Sequence, residues 1–247
     1  MQAMILAAGL GKRMRPLTDH TPKPLLKVAG KPLLEYQIER LILAGATSIL
    51  INVSYLADQI EAFIAARDWL IPICLSKETS PLETAGGIQK ALEEGSLNSD
   101  EPILLVNGDI WCDFNLTLPS LNKTVLNKAA LAHLILVDNP NHNPSGDFIL
   151  GPDQQVSSGK STGKSANKIK KQESSSLTFS GISLIHPSLI PPSSDQPPPL
   201  ALGPLLKSAA DQGRVTGEYF SGYWLDVGTP ERLAQLERYI INKQQKT

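Results

Sequence analysis

The residues best suited to chemistry stand close to the N-terminus. Gly9 and Gly11 bracket Leu10, and Lys12, Arg13 and Arg15 follow within four positions. A fourth cation, Lys23, sits between Pro22 and Pro24. The loop follows a short apolar run that reads as a buried strand. Glycines allow backbone N–H groups to approach phosphate oxygens closely, and Lys and Arg side chains balance the charge. The combination predicts a polyphosphate site. A tight turn with solvated cations would also contain glycine, but it does not account for four cations and a proline-stiffened lysine.

Two carboxylates complete the chemistry. The apolar run at 103–107 ends in Asn107-Gly108-Asp109, and a second run delivers Asp226 just before Gly228. Each Asp could merely turn or cap the chain. Two strands that each present one Asp beside a glycine are nevertheless what Mg²⁺ requires, since it takes few protein carboxylates and completes its shell with water and phosphate oxygens. A second glycine-bearing turn at 80–88 carries Glu83, Gly86 and Gly87 into a helix.

Residues 6–18 and 22–25 together resemble the entrance motif of the sugar-1-phosphate nucleotidyltransferases. The match departs at Lys12, where that family usually has Ser or Thr. The resemblance implies a nucleotide-diphospho-sugar transferase fold and an Mg²⁺-dependent transfer. It assigns Ala8, Gly9, Gly11, Lys12, Arg13, Lys23, Glu83, Gly86 and Asn107 to the nucleotide. Arg13 and Lys23 take the catalytic role, and Asp109 and Asp226 take the metal. Arg15 occupies a variable position. No general base is required, because a sugar 1-phosphate is already anionic, so the task is positioning and charge stabilisation. His20, His133, His142 and His186 are expected to be ordinary structural residues.

The sugar is read from residues 137–148 and 177–183. They resemble a uridylyltransferase branch of the family that serves bacterial peptidoglycan recycling, which implies UTP and N-acetylmuramate 1-phosphate as substrates. On that resemblance Asp147 contacts the sugar, while Ser180 and Gly181 line its pocket. Asp147 also reads as a plain strand-start turn residue. Many relatives grip the sugar phosphate with an E-K-P segment, which is not found here. Lys160, Lys164, Lys168, Lys170 and Lys171 lie in a polar stretch at 152–176, expected to be a mobile loop and a candidate lid. Solvated lysines that keep a loop soluble are the simpler reading. Three alternatives stay open: a mannose-1-phosphate guanylyltransferase, a glucose-1-phosphate thymidylyl- or uridylyltransferase, and a catalytically dead nucleotide-sugar sensor.

The elements that must position these groups alternate. Strands are expected at 4–8, 48–53, 71–76 and 103–107, with helices at 33–44, 57–67 and 86–94. Gly45 suits the C′ position of the first helix. Such alternation predicts an α/β, Rossmann-like, mainly parallel sheet flanked by helices, with ligands at the carboxyl ends of the strands. Further strands are expected at 130–138, 147–150, 177–185 and 223–227. A proline-rich turn follows at 193–199 and a short helix at 202–210. Thr229 and Pro230 open the last helix as N-cap and N1. One domain is expected, with its nucleotide half at 1–110 and its sugar half at 111–247.

The chain has 247 residues with 23 basic and 24 acidic side chains. That balance argues against a nucleic-acid or anionic-membrane partner. No apolar run reaches the roughly 20 residues of a membrane helix, and a cytoplasmic protein is expected. Cys74 and Cys112 are far apart, form no metal spacing, and read as two buried thiols. No hexapeptide-repeat β-helix follows the last helix, so a monomer is expected.

Overall fold

A computed structural model describes residues 1–117, 129–159 and 176–245. The first half alternates as expected. Strand β1 is Gln2–Leu6, and a small hairpin of β2 (Lys27–Val28) and β3 (Lys31–Pro32) leads into helix α1, Leu33–Leu43. Then come β4 (Ser48–Val53), α2 (Ala57–Ala65), β5 (Ile73–Lys77), α3 (Glu83–Glu93) and β6 (Ile103–Asn107). The second half holds β7 (Ile110–Cys112), β8 (Ala132–Val137), β9 (Phe148–Leu150), β10 (Val156–Ser157) and β11 (Ser176–Ile185). It closes with α4 (Leu202–Asp211), β12 (Val215–Tyr219), β13 (Trp224–Asp226) and α5 (Pro230–Gln244).

Among the described residues a nine-stranded sheet runs β10-β9-β11-β6-β1-β4-β5, with β8 pairing both β11 and β12. The ladders β6–β1–β4–β5 are all parallel, and antiparallel pairing enters with β11. The parallel register sets Leu6 beside both Asn52 and Asn107. The carboxyl ends of β1, β4 and β6 therefore form one edge, and the glycine-rich loop leaves from its centre.

Two cores explain why these strands pair. Alternate side chains go to opposite faces, and helices cover both. Ile5, Ile51, Leu104 and Val106 pack with Leu34, Ile38 and Leu41 of α1 and Ile60 of α2. Met4, Leu50, Ile103 and Leu105 pack on the other face with Ala85, Ile88 and Ala91 of α3 and Leu202 and Leu206 of α4. A third cluster, with Val28, Leu33, Trp111, Leu225, Val227, Leu236 and Ile240, joins α5 to a separate two-stranded ribbon of β7 and β13.

The helix ends follow their sequence signals. Gly45 has φ +82 just beyond α1, and Thr229 caps α5 by accepting from the Arg232 N–H ahead of Pro230. Several expectations are corrected. Strands β7 and β12 were not expected. The first has three residues, and the second carries Gly217 at its centre, so neither offers a readable alternation. Within the stretch expected as a loop, Val156 is buried and Val156–Ser157 pairs with β9. The five lysines of that stretch lie outside the described residues. Cys74 is exposed on β5, not buried. Cys112 is buried, which pushes its thiol up to about 11.

Candidate active site

A cavity of about 500 Å³ opens at the shared carboxyl ends of β1 and β6. The glycine-rich loop forms one wall with Ala8, Gly9, Gly11, Lys12 and Arg13. Gly11 holds φ +60, and a Cβ there would come within 2.9 Å of Thr18 Cγ2. Thr18 Oγ1 in turn donates to the Gly11 carbonyl at 2.8 Å. Only glycine fits this left-handed, tightly closed turn without strain. Lys12–Met14 then form one 3₁₀ turn, which carries Lys12 and Arg13 together.

Lys23 and Asp109 meet in this cavity. Lys23 sits in a short 3₁₀ turn, Lys23–Leu25, that Pro22 precedes in extended geometry. Its Nζ donates to Asp109 Oδ2 at 2.6 Å. The lysine side chain is 10% exposed and the carboxylate 39%, so one partner is sequestered and the other faces the cavity. A buried ammonium needs such a partner, because desolvation without one is costly.

The β7–β13 ribbon brings in the second carboxylate. Asp226 pairs in register with Ile110, and Val227 N–H donates to the Asp109 carbonyl at 2.8 Å. The two Asp residues thus sit on neighbouring strand ends. Arg13 reaches the same place: a Cβ on Gly228 would lie 3.1 Å from an Arg13 guanidinium nitrogen and 2.9 Å from Asp226 Oδ1. Asp226 Oδ1 is buried with no hydrogen-bond partner among the described residues. A hard anionic oxygen in that condition, on the strand end paired with the one that carries Asp109, fits a divalent cation. No cluster of three His, Cys, Asp or Glu forms a metal site among the described residues. A two-carboxylate site of the Mg²⁺ kind requires none.

The far wall is built on a buried pair. Asn52 Oδ1 accepts from the Ala7 N–H at 2.8 Å, and its Nδ2 donates to Glu78 Oε1 at 2.7 Å. Both residues border the cavity, as do Pro81, Leu82, Glu83 and Thr84. Glu83 takes φ +63, a conformation that costs a non-glycine residue about 1–3 kcal/mol. Neither Asn52 nor Glu78 was singled out in the sequence. The only local signal was polarity at the end of an apolar strand.

Of the remaining expected residues, Asn107 borders the cavity, but Gly86 does not. The Gly86 N–H and that of Ala85 both donate to the Leu200 carbonyl, and a Cβ on Gly86 would meet Pro198 at 3.2 Å. Its smallness serves helix packing. Ser180 is fully buried, and its Oγ accepts from Ile182 N–H at 3.2 Å. Gly181, at φ +85, packs on the Asn107 side chain. Asp147 Oδ2 accepts from Phe179 N–H at 2.9 Å, which ties the start of β9 to β11. None of these three lines the cavity itself, although Gly181 touches it through Asn107.

Two further residues join Asp226. Arg232 Nη1 donates to Asp226 Oδ2 at 2.8 Å and to its carbonyl at 3.1 Å. His142 Nε2 lies 3.4 Å from the same Oδ2. His142, expected to be an ordinary structural residue, thus touches the carboxylate expected to hold metal. Arg232 carried no sequence signal beyond its place in the first turn of α5.

A family model described as "Nucleotidyl transferase" matches residues 2–157. An N-acetylmuramate alpha-1-phosphate uridylyltransferase of Neisseria meningitidis is 43% identical over 239 residues, covering 96% of this chain and 97% of that protein. A protein of the same name from Caulobacter vibrioides is 34% identical, covering 93% and 92%. Among solved structures, HddC of Yersinia pseudotuberculosis complexed with GMP-PN superposes with a TM-score of 0.72 at 22% identity, covering 97% of this chain and 99% of that one. That likeness carries the fold.

Proposed function

This chain belongs to the nucleotidyl transferase family, and we propose that it transfers a uridylyl group from UTP to N-acetylmuramate 1-phosphate, releasing pyrophosphate. The observation that carries the transfer chemistry is that Arg13, Lys23 and Asp109 line one cavity at the glycine-rich loop, with Asp226 on the adjoining strand end beside Gly228. The choice of sugar and base rests on the names of the two relatives and on residues 137–148 and 177–183.

The reaction brings one anion onto another. The loop N–H groups with Lys12 and Arg13 hold the triphosphate and orient its α-phosphorus. Glu83 and the Asn52–Glu78 pair support the wall against the base and ribose. A phosphate oxygen of the sugar 1-phosphate attacks the α-phosphorus, and the bond to the β-phosphate oxygen breaks. Arg13 and Lys23 stabilise the charge that accumulates as pyrophosphate departs. No side chain has to remove a proton. Asp109 and Asp226 would hold Mg²⁺, which when bound neutralises charge on the phosphate oxygens. The nucleotide belongs to residues 1–110 and the sugar to residues 111–247.

Pyrophosphate release, measured with UTP, dTTP, GTP, CTP and ATP each against N-acetylmuramate 1-phosphate, N-acetylglucosamine 1-phosphate, glucose 1-phosphate and mannose 1-phosphate, tests this reading. Turnover should concentrate on UTP with N-acetylmuramate 1-phosphate. A different favoured pair would overturn the sugar and base assignment and leave the transfer mechanism in place.

A further inference from the structure

The two oxygens of Asp226 have different surroundings. Oδ2 accepts from Arg232 Nη1 at 2.8 Å and lies 3.4 Å from His142 Nε2. Oδ1 is buried and has no hydrogen-bond partner among the described residues. It points to the space beside Gly228, within reach of the Arg13 guanidinium. The terminal torsion of an aspartate is broad, so nothing intrinsic to the side chain commits one oxygen to one direction. The anchoring of Oδ2 does so.

That anchor arrives from two parts of the chain. Arg232 stands in the first turn of α5, where its backbone N–H is capped by Thr229. Its Nη1 holds both the carboxylate and the carbonyl of Asp226, gripping side chain and backbone together. His142 belongs to the turn between β8 and β9. That turn is pinned to β11 by Asn143 Nδ2, which donates to Thr178 Oγ1 at 3.2 Å, and by Thr178 Oγ1, which donates to Asn139 Oδ1 at 2.9 Å. His142 Nε2 also lies 3.4 Å from Arg232 Nη1, and it serves one partner at a time: unprotonated it accepts from the guanidinium, protonated it faces the carboxylate. The last helix and the β8–β9 turn thus close on a single carboxylate oxygen.

We propose that Arg232 is a positioning residue that turns Asp226 so that Oδ1 alone is offered to a divalent cation, with His142 completing the anchor. The proposal rests on the reading of Asp226 as a metal ligand. It adds that metal affinity is set outside the ligands themselves, by a helix-start arginine and by the turn that leads into the sugar half. Partners that orient a metal ligand are typically worth 10–100-fold in metal affinity.

The test is Mn²⁺ binding to the isolated protein, followed by the EPR signal of free Mn²⁺ with no substrate present. It compares wild type with Asp226→Asn, Arg232→Gln, Arg232→Lys and His142→Ala. Asp226→Asn should lose binding. Arg232→Gln should weaken it by about 10–100-fold, Arg232→Lys should recover part of that loss, and His142→Ala should weaken it several-fold. His142 is 42% exposed, so its variant tests the anchor even if Arg232→Gln does not fold. Wild-type affinity in Arg232→Gln and His142→Ala, with binding lost in Asp226→Asn, would overturn the anchor and leave the metal reading intact. Undiminished binding in Asp226→Asn, or none in wild type, would remove both.

Discussion

Val227 donates its backbone N–H to the carbonyl of Asp109 at 2.8 Å, and this bond locks the two halves of the site together. Asp226 directly precedes Val227, and the Asp109 side chain already holds Lys23. A ribbon only three residues long in each strand therefore sets the spacing of both carboxylates. Its stability comes from the Trp111, Leu225 and Val227 side chains buried against α5.

Gly228→Ala should be strongly impaired in turnover yet remain folded. The added Cβ would meet Asp226 Oδ1 at 2.9 Å and Arg13 at 3.1 Å, which forces at least one of them to move. Misplacement of a reacting group by about 1 Å costs on the order of 10²-fold in rate. The ratio of kcat to wild type, with circular dichroism as the folding control, checks this. Near-wild-type kcat would mean that Arg13 and Asp226 need not be held at this spacing.

Asn52→Leu should destabilise the protein by about 2–4 kcal/mol. The change strips the Ala7 N–H of its acceptor and leaves the buried Glu78 carboxylate without the Asn52 donor. Urea unfolding reads the loss directly. A change below about 0.5 kcal/mol, the range of ordinary surface substitutions, would show that water replaces the amide without penalty.

Glu83→Gly should separate stability from nucleotide affinity. Relief of the left-handed conformation contributes about 1–2 kcal/mol, and the greater freedom of glycine in the unfolded chain opposes it by about 0.4–1 kcal/mol. Net stability should therefore rise by no more than about 1.6 kcal/mol, while KM for the nucleoside triphosphate rises several-fold. An unchanged KM would remove Glu83 from the nucleotide wall.

Asp113→Asn should lower Tm at pH 7, with a deficit that shrinks in acid. Asp113 accepts from Trp111 Nε1 at 2.9 Å, from Lys243 Nζ at 2.8 Å and from the Tyr239 hydroxyl. Burial alone would raise its carboxyl, but these donors outweigh burial and hold it below the usual carboxylate range. Burial and the same carboxylate push the Tyr239 phenol up to about 12. A depressed folded-state pKa contributes stability that is present above the unfolded value near 4 and is lost as pH falls through the folded value. Melting curves of both proteins from pH 7 to pH 2.5 should converge below about pH 4. A constant deficit across that range would assign the effect to packing.

The sequence by itself determined which chemistry is available and where its parts leave the sheet. Gly9, Gly11, Lys12, Arg13 and Lys23 could be read together because they fall within one short stretch of chain, and apolar runs with helical spacing between them are local patterns. The strand end at Asn107, the strand that carries Asp226, the Gly45 end of α1 and the Thr229 cap were legible for the same reason. Tertiary structure alone decided the rest. Gly86 proved to be packing against Leu200, and Ser180 closed a bond with its own neighbour Ile182, because smallness and polarity look alike in sequence whichever way a residue faces. The pairing of β7 with β13, and the meeting of His142, Arg232 and Asp226, join segments far apart in the chain. Such contacts follow from the closing of a core and from strand register, which no local pattern of residue types encodes.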